Sequence, residues 1–197
     1  MYYCYADNLF TVSPQGSAAV SPLDIVVNLN DNVTLDCSAM GGPNNTFQWT
    51  KNGVIVGNEN ALNLVAIDAS YGGNYTCMVS NGAGTDSVST ILYVAPYFVT
   101  PLENQTLTAK GSNVTVFCNV AGFPTPIVNW VDSLGLEVSD TTLLQFNPIV
   151  FGQEGIYHCV AKSVINKSTI NTTDETTIIG IIHSSCIGRV LYYFVFS

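Results

Sequence analysis

The chain is 197 residues long and carries 14 acidic side chains against 5 basic ones, a formal net charge of −9. That balance repels phosphate, which argues against nucleic acid as a partner and against attachment to an anionic membrane surface. Only 10% of residues are charged while 47% are apolar, and Thr, Ser, Asn and Val are abundant where Lys and Glu are scarce, a composition for pleated sheet with almost no helix.

The opening stretch, YYCYADN (Tyr2 to Asn8), has neither the basic start nor the apolar run of a secretory leader. Its pattern returns as YTCMVSN (Tyr75 to Asn81) and YHCVAKS (Tyr157 to Ser163), with Tyr2, Cys4 and Asn8 at the same offsets as Tyr75, Cys77 and Asn81. Residues 1–20 are therefore expected to be the last two strands of a truncated domain, with a chance Tyr-x-Cys in a short tail as the alternative.

Farther on, the chain repeats itself. LDCSAMGGPNNTFQWTKNG (Leu35 to Gly53) lies over VFCNVAGFPTPIVNWVDSLG (Val116 to Gly135). In each copy a Trp follows the first Cys by 12 residues, Trp49 after Cys37 and Trp130 after Cys118. A second Cys follows at a spacing of 40 or 41, Cys77 or Cys159, and two residues before it stands Tyr75 or Tyr157.

Around these cysteines the residues alternate at period two, the signature of a half-buried strand. Val33, Leu35 and Cys37 alternate with Asn32, Thr34 and Asp36; Val114, Val116 and Cys118 alternate with Thr115 and Phe117. Tyr75 and Cys77 are expected to point inward, Asn74 and Thr76 outward. Asn52-Gly53 and the stretch Asn81 to Gly84 supply the positive φ values that hairpin turns need.

The Cys, Trp, Tyr-x-Cys constellation, present twice in register, resembles the immunoglobulin superfamily, specifically its intermediate set, over roughly 21–177. The resemblance implies an all-β chain of two tandem immunoglobulin-like Greek-key sandwiches, preceded by the partial domain at 1–20. It also implies disulfides Cys37 to Cys77 and Cys118 to Cys159 between strands B and F, Trp49 and Trp130 packed on them, and tyrosine corners at Tyr75 and Tyr157. The expected domains are 21–95 and 96–177, each of seven or eight strands, because a Cys-to-Cys span near 40 leaves no room for the extra strands of a variable-type domain. Where such domains usually place an ion-pairing Asp four residues before the corner Tyr, this chain has Tyr71 and Gln153. In the second copy Ser163 and Asn166 stand where the first has Asn81 and Gly84, so its last hairpin is expected to take another shape.

Asn-x-Ser/Thr sequons occur at Asn32, Asn44, Asn74, Asn104, Asn113, Asn166 and Asn171, and with paired cysteines they point to an extracellular setting, at the cell surface or secreted. Abundant Asn and Thr in strands and turns is the competing explanation of the sequons. Between the copies, YVAPYFVTP (Tyr93 to Pro101) is too apolar for a flexible linker, and Pro96 biases Ala95 toward an extended conformation. Tyr97 and Phe98 there are expected to be exposed, serving either as a contact or as interdomain packing. The tail, 178–197, nearly has the length of a membrane span, but His183, Ser184, Ser185 and Arg189 interrupt it, and Arg near its middle costs about 3 kcal/mol. A membrane span and an alternatively spliced or artefactual end are both expectations for it. Cys4 and Cys186 are left without assigned partners.

No phosphate-binding glycine loop, nucleophile elbow or spaced acidic run for calcium occurs, and His158 is expected on a solvated strand face. No catalysis, cofactor or metal site is expected. The resemblance implies instead a module that binds a protein ligand, homophilic binding included, through sheet faces or the loops at the sandwich ends, often the sheet bearing strands G, F and C, as in cell-surface adhesion molecules and receptor ectodomains. The alternatives are a repeat of a hemicentin-like extracellular-matrix chain and an intracellular muscle-type array.

Overall fold

The computed structural model describes residues 18–21, 24–39, 44–82, 84–103, 108–109, 111–150, 152–165, 168–179 and 181–182. The opening stretch with Cys4, the sequons at Asn104 and Asn166, and the tail beyond Ile182 with His183 and Cys186 lie outside them. Among the described residues there is no α-helix, only a 3-10 turn at Ala69–Tyr71 whose first amides are capped by Asp68, its carboxylate accepting from Ser70 N at 2.7 Å.

In chain order the strands are β1 (Ala18–Ser21), β2 (Ile25–Val27), β3 (Val33–Ala39), β4 (Thr46–Lys51), β5 (Val54–Gly57), β6 (Ala61–Leu64), β7 (Gly73–Asn81) and β8 (Gly84–Phe98). There follow β9 (Thr108–Ala109), β10 (Val114–Phe117), β11 (Val120–Phe123), β12 (Ile127–Asp132), β13 (Glu137–Ser139), β14 (Leu143–Phe146), β15 (Gly155–Ile165), β16 (Ser168–Ile179) and β17 (Ile181–Ile182). They divide between two compact units. The first gathers the described residues up to Tyr97 with 121–126 and 163–170; the second comprises those of 98–120, 127–162 and 171–197.

In the first unit a sheet ordered β1-β3-β6 faces a larger one ordered β11-β8-β7-β4-β5, with β2 running parallel to β8. β3 buries Leu35 and Cys37 and exposes Thr34 and Asp36; β7 buries Tyr75, Cys77 and Val79 while Asn74 and Met78 face out. The period-two reading of both strands therefore holds. The turn between β4 and β5 has Asn52 at φ 48 and Gly53 at φ 85, the left-handed pair a two-residue hairpin requires. The β7–β8 hairpin closes on the pair Asn81↔Gly84, with Gly84 at φ 152. Val27, Leu35, Trp49, Ile67, Leu92 and Val94 join the cysteines and Tyr75 in one buried cluster.

The second unit repeats the plan. β10 pairs with β14, and a four-stranded sheet runs β13-β12-β15-β16. Val114, Val116 and Cys118 are buried while Thr115 and Phe117 are exposed, and Val128, Trp130, Leu144, Ile149, Tyr157 and Ala161 complete the core. β16 continues to Ile179, and Ile181–Ile182 pair in parallel with Thr108–Ala109, so the first isoleucines of the apolar tail form strand, as β-branched residues beside an available partner favour.

In both units the connection that would hold extra strands is three residues long, Asn58 to Asn60 before β6 and Asp140 to Thr142 before β14. β6 consequently ends its sheet, and β5 and β13 end theirs.

Candidate interaction surfaces

Each unit is pinned from the inside by the same construction. Cys37 is bonded to Cys77 and Cys118 to Cys159, each with Cα atoms 6.4 Å apart. Trp49 stands directly across the ladder from Cys77, and Trp130 from Cys159. Both indoles are completely buried, so each bridge is covered by a flat apolar surface from the neighbouring strand. Neither indole N–H has a hydrogen-bond partner among the described residues, an unfavourable term the packing has to offset. The Tyr75 and Tyr157 hydroxyls donate to the backbone carbonyls of Tyr71 and Gln153 at 2.7 and 2.8 Å. Burial raises the Tyr75 phenol to about 12, with Tyr71 adding to the shift, and raises Tyr157, with Asp132 and Glu154 adding. These residues form the scaffold and do not reach solvent as a site.

The outer face of each larger sheet is open to solvent, and the two units differ there. In the first, β4 presents Thr46, Gln48 and Thr50, β7 presents Asn74, Thr76, Met78 and Ser80, and β8 presents Thr85, Ser87, Ser89 and Ile91. None is ionisable in a chain of net charge −9, and most carry hydroxyls, Thr76 and Ser89 bonded to each other at 2.8 Å. The acids of this unit lie elsewhere: Asp86 on the other face of β8, bonded to Ala18 N of β1, Asp36 on the outside of the smaller sheet, and Asp24, Asp31, Glu59 and Asp68 in the connections.

The corresponding face of the second unit is more apolar. Ile127, Asn129 and Val131 on β12 lie opposite Lys162, Val160 and His158 on β15, with Ile156 next in line. Ile127 is 69% exposed and Ile156 38%, while Val131, Val160 and His158 are half-buried by their neighbours. At one border Asn129 Nδ2 donates to the Glu137 carboxylate at 3.2 Å. The face thus intersperses β-branched residues with polar ones, Asn129 standing opposite Val160 and His158 opposite Val131. Sequence reading singled out the sheet bearing strands G, F and C but not these residues, although alternate residues of INV and IHVK at 127–131 and 156–162 carry the signal once their strands are paired.

Beside β5, which ends its sheet among the described residues, a shallow hollow is lined by Val56, Leu62, Leu64, Tyr71, Tyr75 and Lys51. The Lys51 ammonium donates to the Ser70 carbonyl and lies 5.8 Å from the centre of the Tyr75 ring. Partial burial lowers its pKa while Asp68 works the other way. Its head group is held at the wall of the hollow by Ser70. Among the described residues no group of three or more His, Cys, Asp or Glu side chains could hold a metal ion.

The other positions singled out in the sequence fall as follows. Asn32, Asn44, Asn74, Asn113 and Asn171 are exposed. Ser163 is buried, its hydroxyl donating to the Pro124 carbonyl at 3.1 Å. Tyr97 and Phe98 are not the exposed pair expected: both are half-buried, Tyr97 against the first core with its hydroxyl accepting from Ala69 N at 3.2 Å, Phe98 against the second core. Adjacent residues of a strand point to opposite sides, so each finds a different cluster. No helix among the described residues is long and apolar enough to cross a membrane.

Comparison with known proteins agrees with this construction. Residues 14–81 match the family model described as the immunoglobulin domain. The chain is 32% identical over 134 residues to neural cell adhesion molecule 1 of Bos taurus, covering 62% of this chain and 16% of that protein. It is 26% identical over 171 residues to hemicentin-1 of Mus musculus, covering 78% of this chain and 3% of that one. The chain therefore spans a small part of the relatives it matches. The crystal structure of the insect immune protein hemolin superposes with a TM-score of 0.53 at 23% identity, over 85% of this chain and 48% of hemolin. Disulfides of this kind form and persist in oxidising compartments, and the setting is extracellular. With its two bridged sandwiches, each wrapped around a buried indole and closed by a tyrosine corner, the chain has the immunoglobulin-like fold, and over residues 14–81 it matches the immunoglobulin domain.

Proposed function

We propose that the chain is an extracellular protein-binding module of a cell-surface adhesion or receptor protein, with 21–95 and 96–177 as its two domains. It acts by binding and not by catalysis, and its ligand is a protein. The reading rests on one observation, the outer face of the second unit, where the β-branched residues Ile127, Val131, Ile156 and Val160 share one face with Asn129, His158 and Lys162. Apolar side chains held among polar ones on an open sheet are how proteins recognise proteins, and a solvated β-sandwich face otherwise turns polar residues outward. Similarity to neural cell adhesion molecule 1 favours adhesion. N-glycans at the sequons would fit the same setting.

Beads coated with the secreted chain should bind cells displaying the ligand, and each other if the ligand is a second copy. Val160→Arg should abolish binding, whereas Ser38→Arg, on the outside of the first unit's smaller sheet, should leave it intact. Equal binding by both variants would overturn the assignment of the face. Similarity to hemicentin-1 over most of this chain supports a second reading, a spacer repeat of an extracellular-matrix chain. Expression of the full gene product distinguishes the two: retention at the cell surface favours adhesion, and incorporation into deposited matrix favours the spacer.

A further inference from the structure

The first unit ends its larger sheet on β5, and β5 is an unusual edge. Val54, Ile55 and Val56 are three consecutive apolar residues at 68%, 57% and 42% exposure, and no charge or proline interrupts them. One side of β5 pairs with β4, and no strand pairs with the other side among the described residues. Such an edge invites pairing with another chain, and proteins ordinarily blunt it with Lys, Pro or a covering segment. The second unit does so: its matching strand β13 carries Glu137.

The uncovered edge has a sequon beside it. Asn74 is exposed on β7, and it sits against the turn that starts β5: Asn52 N donates to the Asn74 carbonyl at 3.0 Å and Asn74 N donates to Asn52 Oδ1 at 3.2 Å. Through the pairs Thr76↔Thr50 and Thr50↔Ile55, the side chains of Asn74, Thr76 and Ile55 share one face of the sheet. Two strand spacings, about 10 Å, separate β7 from β5. Of the other described sequons, Asn32 leads into β3 of the opposite sheet, Asn44 precedes β4 at the end away from the Asn52-Gly53 turn, and Asn113 and Asn171 belong to the second unit.

We infer that Asn74 is N-glycosylated and that its glycan shields the apolar edge strand β5, keeping the first unit from pairing edge to edge with a second copy. A bulky, hydrated glycan on the same face takes the place of the charge that β5 lacks. The inference rests on the extracellular setting proposed above but not on the ligand-binding face.

The test uses the full chain secreted from eukaryotic cells, in a Val160→Arg background that silences the second unit's face. Peptide mass spectrometry should find Asn74 occupied. Sedimentation velocity should find the glycosylated chain monomeric and the Asn74→Gln chain shifted to dimers or larger species. Asn113→Gln should cause no shift, and adding Ile55→Lys to Asn74→Gln should restore the monomer. Should Asn74→Gln fail to be secreted, trimming the folded glycoprotein with an endoglycosidase supplies the same comparison. An unmodified Asn74, a monomeric Asn74→Gln or trimmed chain, or association that Ile55→Lys leaves unchanged would overturn the inference. Failure of the ligand-binding reading would appear instead as unaltered cell binding by Val160→Arg alone.

Discussion

The Tyr75 hydroxyl donates a 2.7 Å hydrogen bond to the backbone carbonyl of Tyr71, four residues earlier, and Tyr157 repeats it to Gln153 at 2.8 Å. The acceptor is main chain, so the residue four places before the corner can be Tyr in one unit and Gln in the other without loss. The missing acidic residue that stood out in the sequence costs a surface ion pair, commonly worth under about 1 kcal/mol, and leaves the corner itself intact.

Tyr75→Phe should therefore destabilise the first unit by about 1 kcal/mol, the net worth of one partly buried hydrogen bond, as measured by denaturant unfolding. Its pH dependence is a sharper test. Burial holds the folded phenol at about 12 against an ordinary 10.0, so the folded state keeps a proton that the unfolded state releases. Stability from this group is complete below pH 10.0 and is lost as pH rises toward about 12. The difference in unfolding free energy between the parent and Tyr75→Phe should shrink across that window; a constant difference would refute the assignment.

The bridge Cys37 to Cys77 closes a loop of 40 residues, and chain entropy assigns such a closure about 4 kcal/mol. The double variant Cys37→Ala, Cys77→Ala should lower the first unit's stability by about that amount, since Trp49 across the ladder also loses the sulfur surface it packs against. Two transitions should then separate on denaturation, with the one at lower denaturant belonging to the first unit. A single unshifted transition would show that the bridge contributes little.

Much of this interior was legible in the sequence because it depends on local alternation and on side chains with few tolerable surroundings. Leu35, Cys37, Tyr75 and Cys77 all lie on the buried side that period two assigns them. The outer faces were not legible, because they are made by registers such as Val131↔His158 between residues 27 positions apart, which no local pattern contains. Tyr97 and Phe98 misled for a related reason: two aromatic neighbours look like one patch, whereas a strand sends them to opposite sides. The Cys-to-Cys spacing already left no room for a strand beyond β5, but only the structure shows Val54, Ile55 and Val56 exposed along that edge, with no strand pairing there among the described residues.

Gly53 offers a clean measure of turn chemistry. It holds φ 85, and a Cβ added there would meet nothing within 4 Å, so Gly53→Ala changes only backbone preference. The expected loss is about 1 kcal/mol. Gly57→Ala makes the contrast, since there the added carbon would approach Leu62 Cδ1 to 3.1 Å and its effect mixes crowding with entropy. Gly53→Asn should recover part of the loss, Asn being more tolerant of the left-handed region; equal losses for Ala and Asn would argue that some other property of Gly53 matters.

At the other margin of the first unit, the Asp86 carboxylate ties β1 to the fold. One oxygen accepts from Ala18 N at 2.8 Å and the other from Ser87 N at 2.8 Å. The bond from Ala18, then that from Ser87, holds the Asp86 pKa below its ordinary 3.8, against a smaller opposing effect of desolvation. With the folded pKa depressed, the stabilisation is present above pH 3.8 and is lost as pH falls through the lowered value. Acidification should thus release the start of β1 before it melts the disulfide-pinned core. The protection of the Ala18 amide against hydrogen exchange should fall toward its intrinsic limit below pH 3.8, while the Cys77 amide, deep in β7, stays protected. In Asp86→Asn the side-chain oxygen can still accept but no longer titrates, so Ala18 should exchange faster than in the parent at neutral pH and show no added acid step. If the acid step survives that substitution, another carboxylate governs the release of β1.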